Sequence, residues 1–127
     1  MSLIVKMRKQ NAIYWPPAAT DDYGRKAVGT LIELITASNI NYRVRWEAKA
    51  VAFIDKEGTE SVSSAVVYVP QLPDGSEIAT GGWLWLGDKT GLADEEDPRE
   101  NVAAYEVQQV EKLPNMKATE FLRTAYL

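Results

Sequence analysis

Carboxylates are the side chains whose number and spacing come closest to chemistry in this chain. They gather at Asp21-Asp22 and at Asp94-Glu95-Glu96-Asp97, with Glu100 just beyond. A pair such as Asp21-Asp22 has the composition for glycoside hydrolysis, where one carboxyl protonates the leaving group and the other acts as base or nucleophile. Any acidic protein offers such pairs, and nothing in the sequence implies a pocket around this one. Four consecutive acids also suggest a calcium loop. An EF-hand, however, needs alternating ligands, a central glycine and a closing glutamate. Residues 88–101 lack that order, are interrupted by Pro98 and read as a solvated loop. Gly87-Asp88-Lys89-Thr90-Gly91 holds a Lys-Thr pair without the Gly-x4-Gly-Lys-Ser/Thr frame that cradles phosphate. Arg43-Val44-Arg45-Trp46 interleaves basic and apolar groups in the manner of an OB-type nucleic-acid face. Two arginines on one wet strand face are more often solvated or paired with a neighbour such as Glu47.

Histidine and cysteine are both absent. That removes disulfides, thiol nucleophiles, thiolate or imidazole zinc sites, and every acid–base scheme run through imidazole. No catalytic residue, metal or cofactor is expected. The balance of 14 basic against 18 acidic residues, a formal net charge of −4, argues against gripping nucleic acid through its phosphates. It does not argue against a wall that nucleic acid slides past. No apolar run approaches the ~20 residues that cross a bilayer, and Leu3-Ile4-Val5 is too short for a signal-peptide core. The expectation is a chain that stays in the cytoplasm with no membrane partner. Its 127 residues suit one domain, 1–127.

The elements that would position these side chains centre on residues 41–70. Tyr42, Val44 and Trp46 alternate with Arg43, Arg45 and Glu47, the period of a strand with one dry face. Residues 65–69, Ala-Val-Val-Tyr-Val, read as a more buried strand. Between them Asp55-Lys56-Glu57-Gly58 suits a hairpin turn with Gly58 at positive φ. Further strands are expected over residues 10–15, closed by Pro16-Pro17, and over 30–36. Trp83-Leu84-Trp85-Leu86 has no wet face, so it is expected to be buried on both sides. The alternative is one face reserved for a neighbouring subunit. Residues 103–112 read as one strand whose pattern slips at Gln109-Val110. The apolar Phe121, Leu122, Tyr126 and Leu127 are expected to dock, either on the domain's own surface or on a partner. The fold class is all-β: a small antiparallel barrel or sandwich with a projecting hairpin arm and an extended C-terminal tail.

One pattern runs collinearly through much of the chain. It comprises Lys9-Gln10, Tyr14-Trp15, Asp22-Tyr23-Gly24, Arg45-Trp46-Glu47-Ala48-Lys49, Phe53-Ile54-Asp55, Gly58 and Ser64-Ala65-Val66-Val67-Tyr68-Val69. It continues through Gly82, Leu84, Leu86-Gly87, Ala104-Tyr105-Glu106-Val107, Pro114-Asn115 and Thr119-Glu120-Phe121-Leu122-Arg123 to Ala125-Tyr126-Leu127. From about residue 7 onward the chain thereby resembles the small head–tail connector proteins of tailed bacteriophages, the head–tail joining, head completion or stopper proteins. Residues 1–6 are additional, and 27–41 are longer than that pattern.

The resemblance implies a structural virion protein rather than an enzyme. It would form a homo-oligomeric ring, six-fold, in the particle neck, after assembly in the bacterial cytoplasm. Portal and adaptor rings would lie on the head side, and tail terminator and tail tube on the tail side. Genomic DNA would pass through the channel without sequence-specific binding. In related stoppers an arm projects into the channel and helps retain DNA. Carried over by position, that arm is Lys49, Val51, Phe53, Ile54, Asp55, Lys56, Glu57, Gly58, Thr59 and Glu60, with Lys49 and Lys56 placed to touch phosphate. Phe121, Leu122, Arg123, Tyr126 and Leu127 are the candidates for subunit or partner docking. The other readings are a surface hairpin packed on its own domain and, for function, a stand-alone β-barrel module binding peptide or single-stranded nucleic acid.

Overall fold

Short apolar runs punctuated by glycine, proline and acidic turns pair antiparallel where each can turn one face to a shared interior. The computed structural model describes residues 9–18, 27–54, 57–114 and 121–127, with the backbone alone at Ala27, Leu113, Pro114, Phe121 and Leu122. Its strands are β1 (Ala12–Trp15), β2 (Pro17–Ala18), β3 (Ala27–Val28), β4 (Ile32–Leu34), β5 (Thr36–Ala37), β6 (Ile40–Asn41) and β7 (Arg45–Glu47). They continue as β8 (Ala52–Ile54), β9 (Glu60–Val62), β10 (Val66–Val69), β11 (Trp83–Leu86), β12 (Ala104–Glu106), β13 (Gln109–Pro114) and β14 (Phe121–Tyr126). The protein is all-β. Among the described residues no helix is long and apolar enough to cross a membrane.

Two four-stranded antiparallel sheets, β12-β11-β1-β4 and β13-β14-β10-β7, share one core. They do not close into a barrel, so the sandwich half of the sequence expectation describes the body. Ala12, Tyr14, Leu34 and Leu84 enter the core from the first sheet, and Val67, Val69 and Ala125 from the second. Val44, Val107 and Leu127 fill it from the connections. Three two-stranded ribbons, β2–β3, β5–β6 and β8–β9, extend from this body. The residues between Pro16 and Gly29 thus include one short paired ribbon. Ser38 and Asn39, both at positive φ, form the two-residue turn of β5–β6 and leave Ile40 exposed.

The strand buried on both faces is β1, not β11. Tyr14 points to the core, while Ile13 and Trp15 on the opposite face are also fully covered. Residues 88–101 supply part of that cover: the Trp15 indole donates to the Glu95 carbonyl at 2.8 Å. In β11 only Leu84 is buried; Trp83 and Trp85 are half-buried on the outer face and Leu86 is 39% exposed. Four apolar residues in a row therefore do not give a doubly buried strand here. Trp85 instead lies flat over two glycines, and a Cβ at Gly87 or Gly91 would fall 2.6 or 2.7 Å from its ring.

Residues 103–112 also divide. β12 belongs to the first sheet and β13 to the second, and Val107-Gln108 carries the chain across. Val107 donates to Gly82 and Gln108 to Tyr126, one bond to each sheet. The pattern slip foreseen at Gln109-Val110 is this change of sheet, placed two residues earlier.

Candidate functional site

The arm and the C-terminal stretch, separate in sequence, meet in the structure. β8 and β9 pair as Ala52↔Val62, Phe53↔Ser61 and Ile54↔Glu60. Strand alternation therefore sends Phe53 to one face and Ala52, Ile54 and Val62 to the other. Phe53 is buried and stacks on Tyr126, with ring centroids 5.2 Å apart and planes 12° from parallel. Val66 completes this small cluster on the outer face of the second sheet, with Val51 and Tyr68 against it.

The foot of the hairpin is fixed by hydrogen bonds around Ser63, which is buried. Its hydroxyl accepts from Val51 N–H at 3.1 Å and donates to the Lys49 carbonyl at 3.2 Å. Its backbone N–H donates to Val51 at 3.0 Å. Next to it Ser64 N–H donates to the Leu127 carbonyl at 2.6 Å, and Leu127 N–H to Ala65 at 3.0 Å. Ser63 escaped the sequence reading because a buried serine in Thr-Glu-Ser-Val-Ser-Ser carries no signal that separates it from its polar neighbours. Beyond the foot the hairpin exposes apolar surface: Ile54 is 56% and Val62 66% exposed. Gly58 adopts the expected positive φ of 81°. Glu57, Thr59 and Glu60 are exposed, and Asp55 and Lys56 lie outside the described residues.

Lys49 does not stand ready for phosphate. Its ammonium lies 2.8 Å from Glu47, whose other carboxylate oxygen meets Arg45 at 3.0 Å. Lys49, then Arg45, hold the Glu47 carboxyl below its ordinary range, and Glu47 in turn raises Lys49. These groups are exposed, so the triad neutralises charge locally and adds little to stability.

The C-terminal stretch is extended, but as the interior strand of its own sheet rather than a tail. β14 pairs β10 on one side, as in Val67↔Ala125, and β13 on the other, as in Val110↔Ala125. Thr124, Ala125, Tyr126 and Leu127 are buried within the domain, so Tyr126 and Leu127 pack on their own protein. Arg123 clamps Glu77 through Nε at 2.6 Å and Nη2 at 3.1 Å, and Lys112 joins the same carboxylate at 3.1 Å. Partial burial opposes ionisation of Glu77, but Arg123 and then Lys112 outweigh it and hold the carboxyl below its ordinary value. Arg123 therefore fastens the loop around Glu77 to β14. The side chains of Phe121 and Leu122 lie outside those described; their backbones pair with Pro114 and Leu113. The Tyr126 hydroxyl donates to Glu111 at 3.0 Å, and burial, then that bond, push its pKa from 10.0 to about 12.

The aspartates of residues 88–101 bond to the backbone of their own loop. Asp88, Asp94 and Asp97 each accept backbone N–H groups of their own loop, from Thr90, from Glu96 and Asp97, and from Arg99. Among the described residues no group of three acidic side chains is arranged to hold a metal ion. Asp21 and Asp22 lie outside the described residues. No protein-family model, no curated protein and no solved structure matches the chain.

Proposed function

We propose that this protein is a structural connector of the phage-neck type, a ring-forming subunit that joins a DNA-filled head to a tail and helps retain the genome. The observation that carries the reading is the hairpin. Its foot is fixed by Phe53 on Tyr126 and by Ser63, while Ile54 and Val62 stand exposed on the far face. A part that must obstruct a channel needs a firm root and a protruding surface that the rest of its own subunit does not cover. The acidic balance of the chain supports the same reading, because a wall of like charge keeps DNA from adhering. The collinear resemblance supplies the family context, and ring closure requires each copy to offer two different, complementary surfaces.

The test is a particle assembled with residues 54–60 replaced by Asn-Gly. This keeps Phe53 opposite Ser61 and joins them by a favoured two-residue turn. Heads carrying the shortened hairpin should assemble and then lose DNA. Heads that keep a full genome at wild-type frequency overturn the proposal.

A further inference from the structure

The turn at residues 71–76 is used neither by the hairpin nor by the acidic loop, and it holds a peptide bond with chemistry of its own. Asp74-Gly75 is the chain's one Asp-Gly pair, and no Asn-Gly pair occurs. In such a pair the backbone nitrogen of the glycine can attack Cγ of the aspartate. An N–Cγ bond forms and water leaves, giving a five-membered succinimide. Water then reopens the ring at either carbonyl, and opening on the main-chain side leaves isoaspartate, with the backbone routed through the side chain. Only water leaves and returns, so the net change is an isomerisation. Glycine favours the attack because it has no side chain to shield its nitrogen and the widest choice of backbone angles.

Exposure alone would leave this bond open to the reaction: residues 73–76 are exposed, and a Cβ on Gly75 would meet nothing within 4 Å. The hydrogen bonds of the turn oppose it. Gly75 N–H donates to the Leu72 carbonyl at 2.9 Å, so the attacking nitrogen is engaged. Pro73 and Asp74 fill the centre of that turn, and Gly75 follows at a φ of 88°. Asp74 Oδ1 accepts from Ser76 twice, from its N–H at 2.9 Å and its hydroxyl at 2.5 Å, so the carboxylate is drawn toward residue 76. The hydroxyl bond, then the N–H bond, hold the Asp74 carboxyl below its ordinary range and keep it ionised, the form that sheds an oxygen least readily. Leu72 N–H to the Ser76 carbonyl at 2.9 Å and Gln71 Nε2 to the Gly75 carbonyl at 2.7 Å close the turn.

We propose that Asp74-Gly75 is a site of spontaneous backbone isomerisation that the folded turn holds shut, with Ser76 keeping the Asp74 carboxyl from the Gly75 nitrogen. The position makes the bond consequential. Leu72 and Ile78 on either side are core residues, and Glu77 is the carboxylate clamped by Arg123 and Lys112. Isoaspartate lengthens the main chain by one methylene between these two buried anchors, so the damage reaches the core and the Glu77 clamp together.

The test compares the folded protein with the same protein in guanidinium chloride, where the turn's bonds are gone, both held in warm neutral buffer for weeks. Isoaspartate at residue 74 is read by peptide mapping with electron-transfer fragmentation. Folded wild type should isomerise at least about tenfold more slowly than unfolded, since each hydrogen bond that must open first is worth a few-fold to about tenfold. Protection is the ratio of a variant's own unfolded and folded rates, and Ser76→Ala should lose about threefold or more of it. Ser76→Thr, which keeps the hydroxyl, should retain it. Residue 76 is exposed, and unchanged amide shifts at Leu72 and Ile78 verify that both anchors stay folded. Folded wild type that isomerises as fast as the unfolded chain overturns the proposal. So does Ser76→Ala with undiminished protection, or a chain that forms no isoaspartate even when unfolded.

Discussion

Residues 88–101 and residues 51–63 both leave the body of the protein, and they use their side chains in opposite ways. The first segment carries the densest charge in the chain, and several of its polar groups bond to its own backbone. Asn101 is buried and accepts from Ala93 and Asp94 while donating to the carbonyls of Asp94 and Asp97. The second segment has the composition of an ordinary strand pair, yet it presents Ile54 and Val62 to solvent. Charge in the first is a device for shaping a loop. Apolar surface in the second is available for contact. The segment densest in charge shapes its own loop, and the segment that looks like scaffold is the candidate for function.

Breaking the first segment should have the largest effect. Asn101→Ala removes a buried amide and orphans two part-buried N–H groups and two carbonyls, and should lower stability by about 3 kcal/mol in chemical denaturation. A loss under about 1 kcal/mol would mean that the acidic loop is a solvated appendage. Phe53→Ala comes next, at about 2 kcal/mol, below the 3–5 of a deep core because the hairpin can fray instead. Hydrogen exchange should then quicken across residues 52–62 and stay slow in β1 and β11. Uniform quickening would make the hairpin part of the cooperative core.

A smaller effect separates the two ends of the Phe53–Tyr126 contact. The fold raises the Tyr126 pKa from 10.0 to about 12, so it favours the neutral phenol. That contribution is complete below pH 10.0 and is lost as pH rises toward about 12. The wild type should lose stability across this window more steeply than Tyr126→Phe, as read by denaturation at a series of pH values. Equal slopes would remove Glu111 and burial as the cause. The smallest expected effect is at Ile54→Ser, within about 0.5 kcal/mol of wild type, as for other exposed positions. A larger loss would show that the far face of the hairpin is already engaged within its own subunit.

Much of this organisation was legible from local pattern. The strands of residues 41–70 and the turn glycine at Gly58 follow from alternation and backbone preference, and each has its place in the structure. What local pattern does not carry is which strand becomes interior. β1 is shorter on apolar signal than β11, and the difference is made by a loop some 80 residues away through the Trp15–Glu95 bond. The stacking of Phe53 on Tyr126 was equally hidden, because each residue alone reads as an apolar group seeking any neighbour. Of the apolar ending, Tyr126 and Leu127 are covered by their own domain. That its cover would be β10 and β13 depends on sheet order, which no short stretch encodes.

β14 has a kinetic consequence as well. It comes after the other described strands in chain order and yet occupies an inner place in its sheet, between β13 and β10. Until residues 121–126 are free to pair, β10 can join β7, but β10 and β13 have no partner on their facing edges and the second sheet stays incomplete. Completion of the second sheet therefore waits for β14, and until then two open edges invite pairing with other chains.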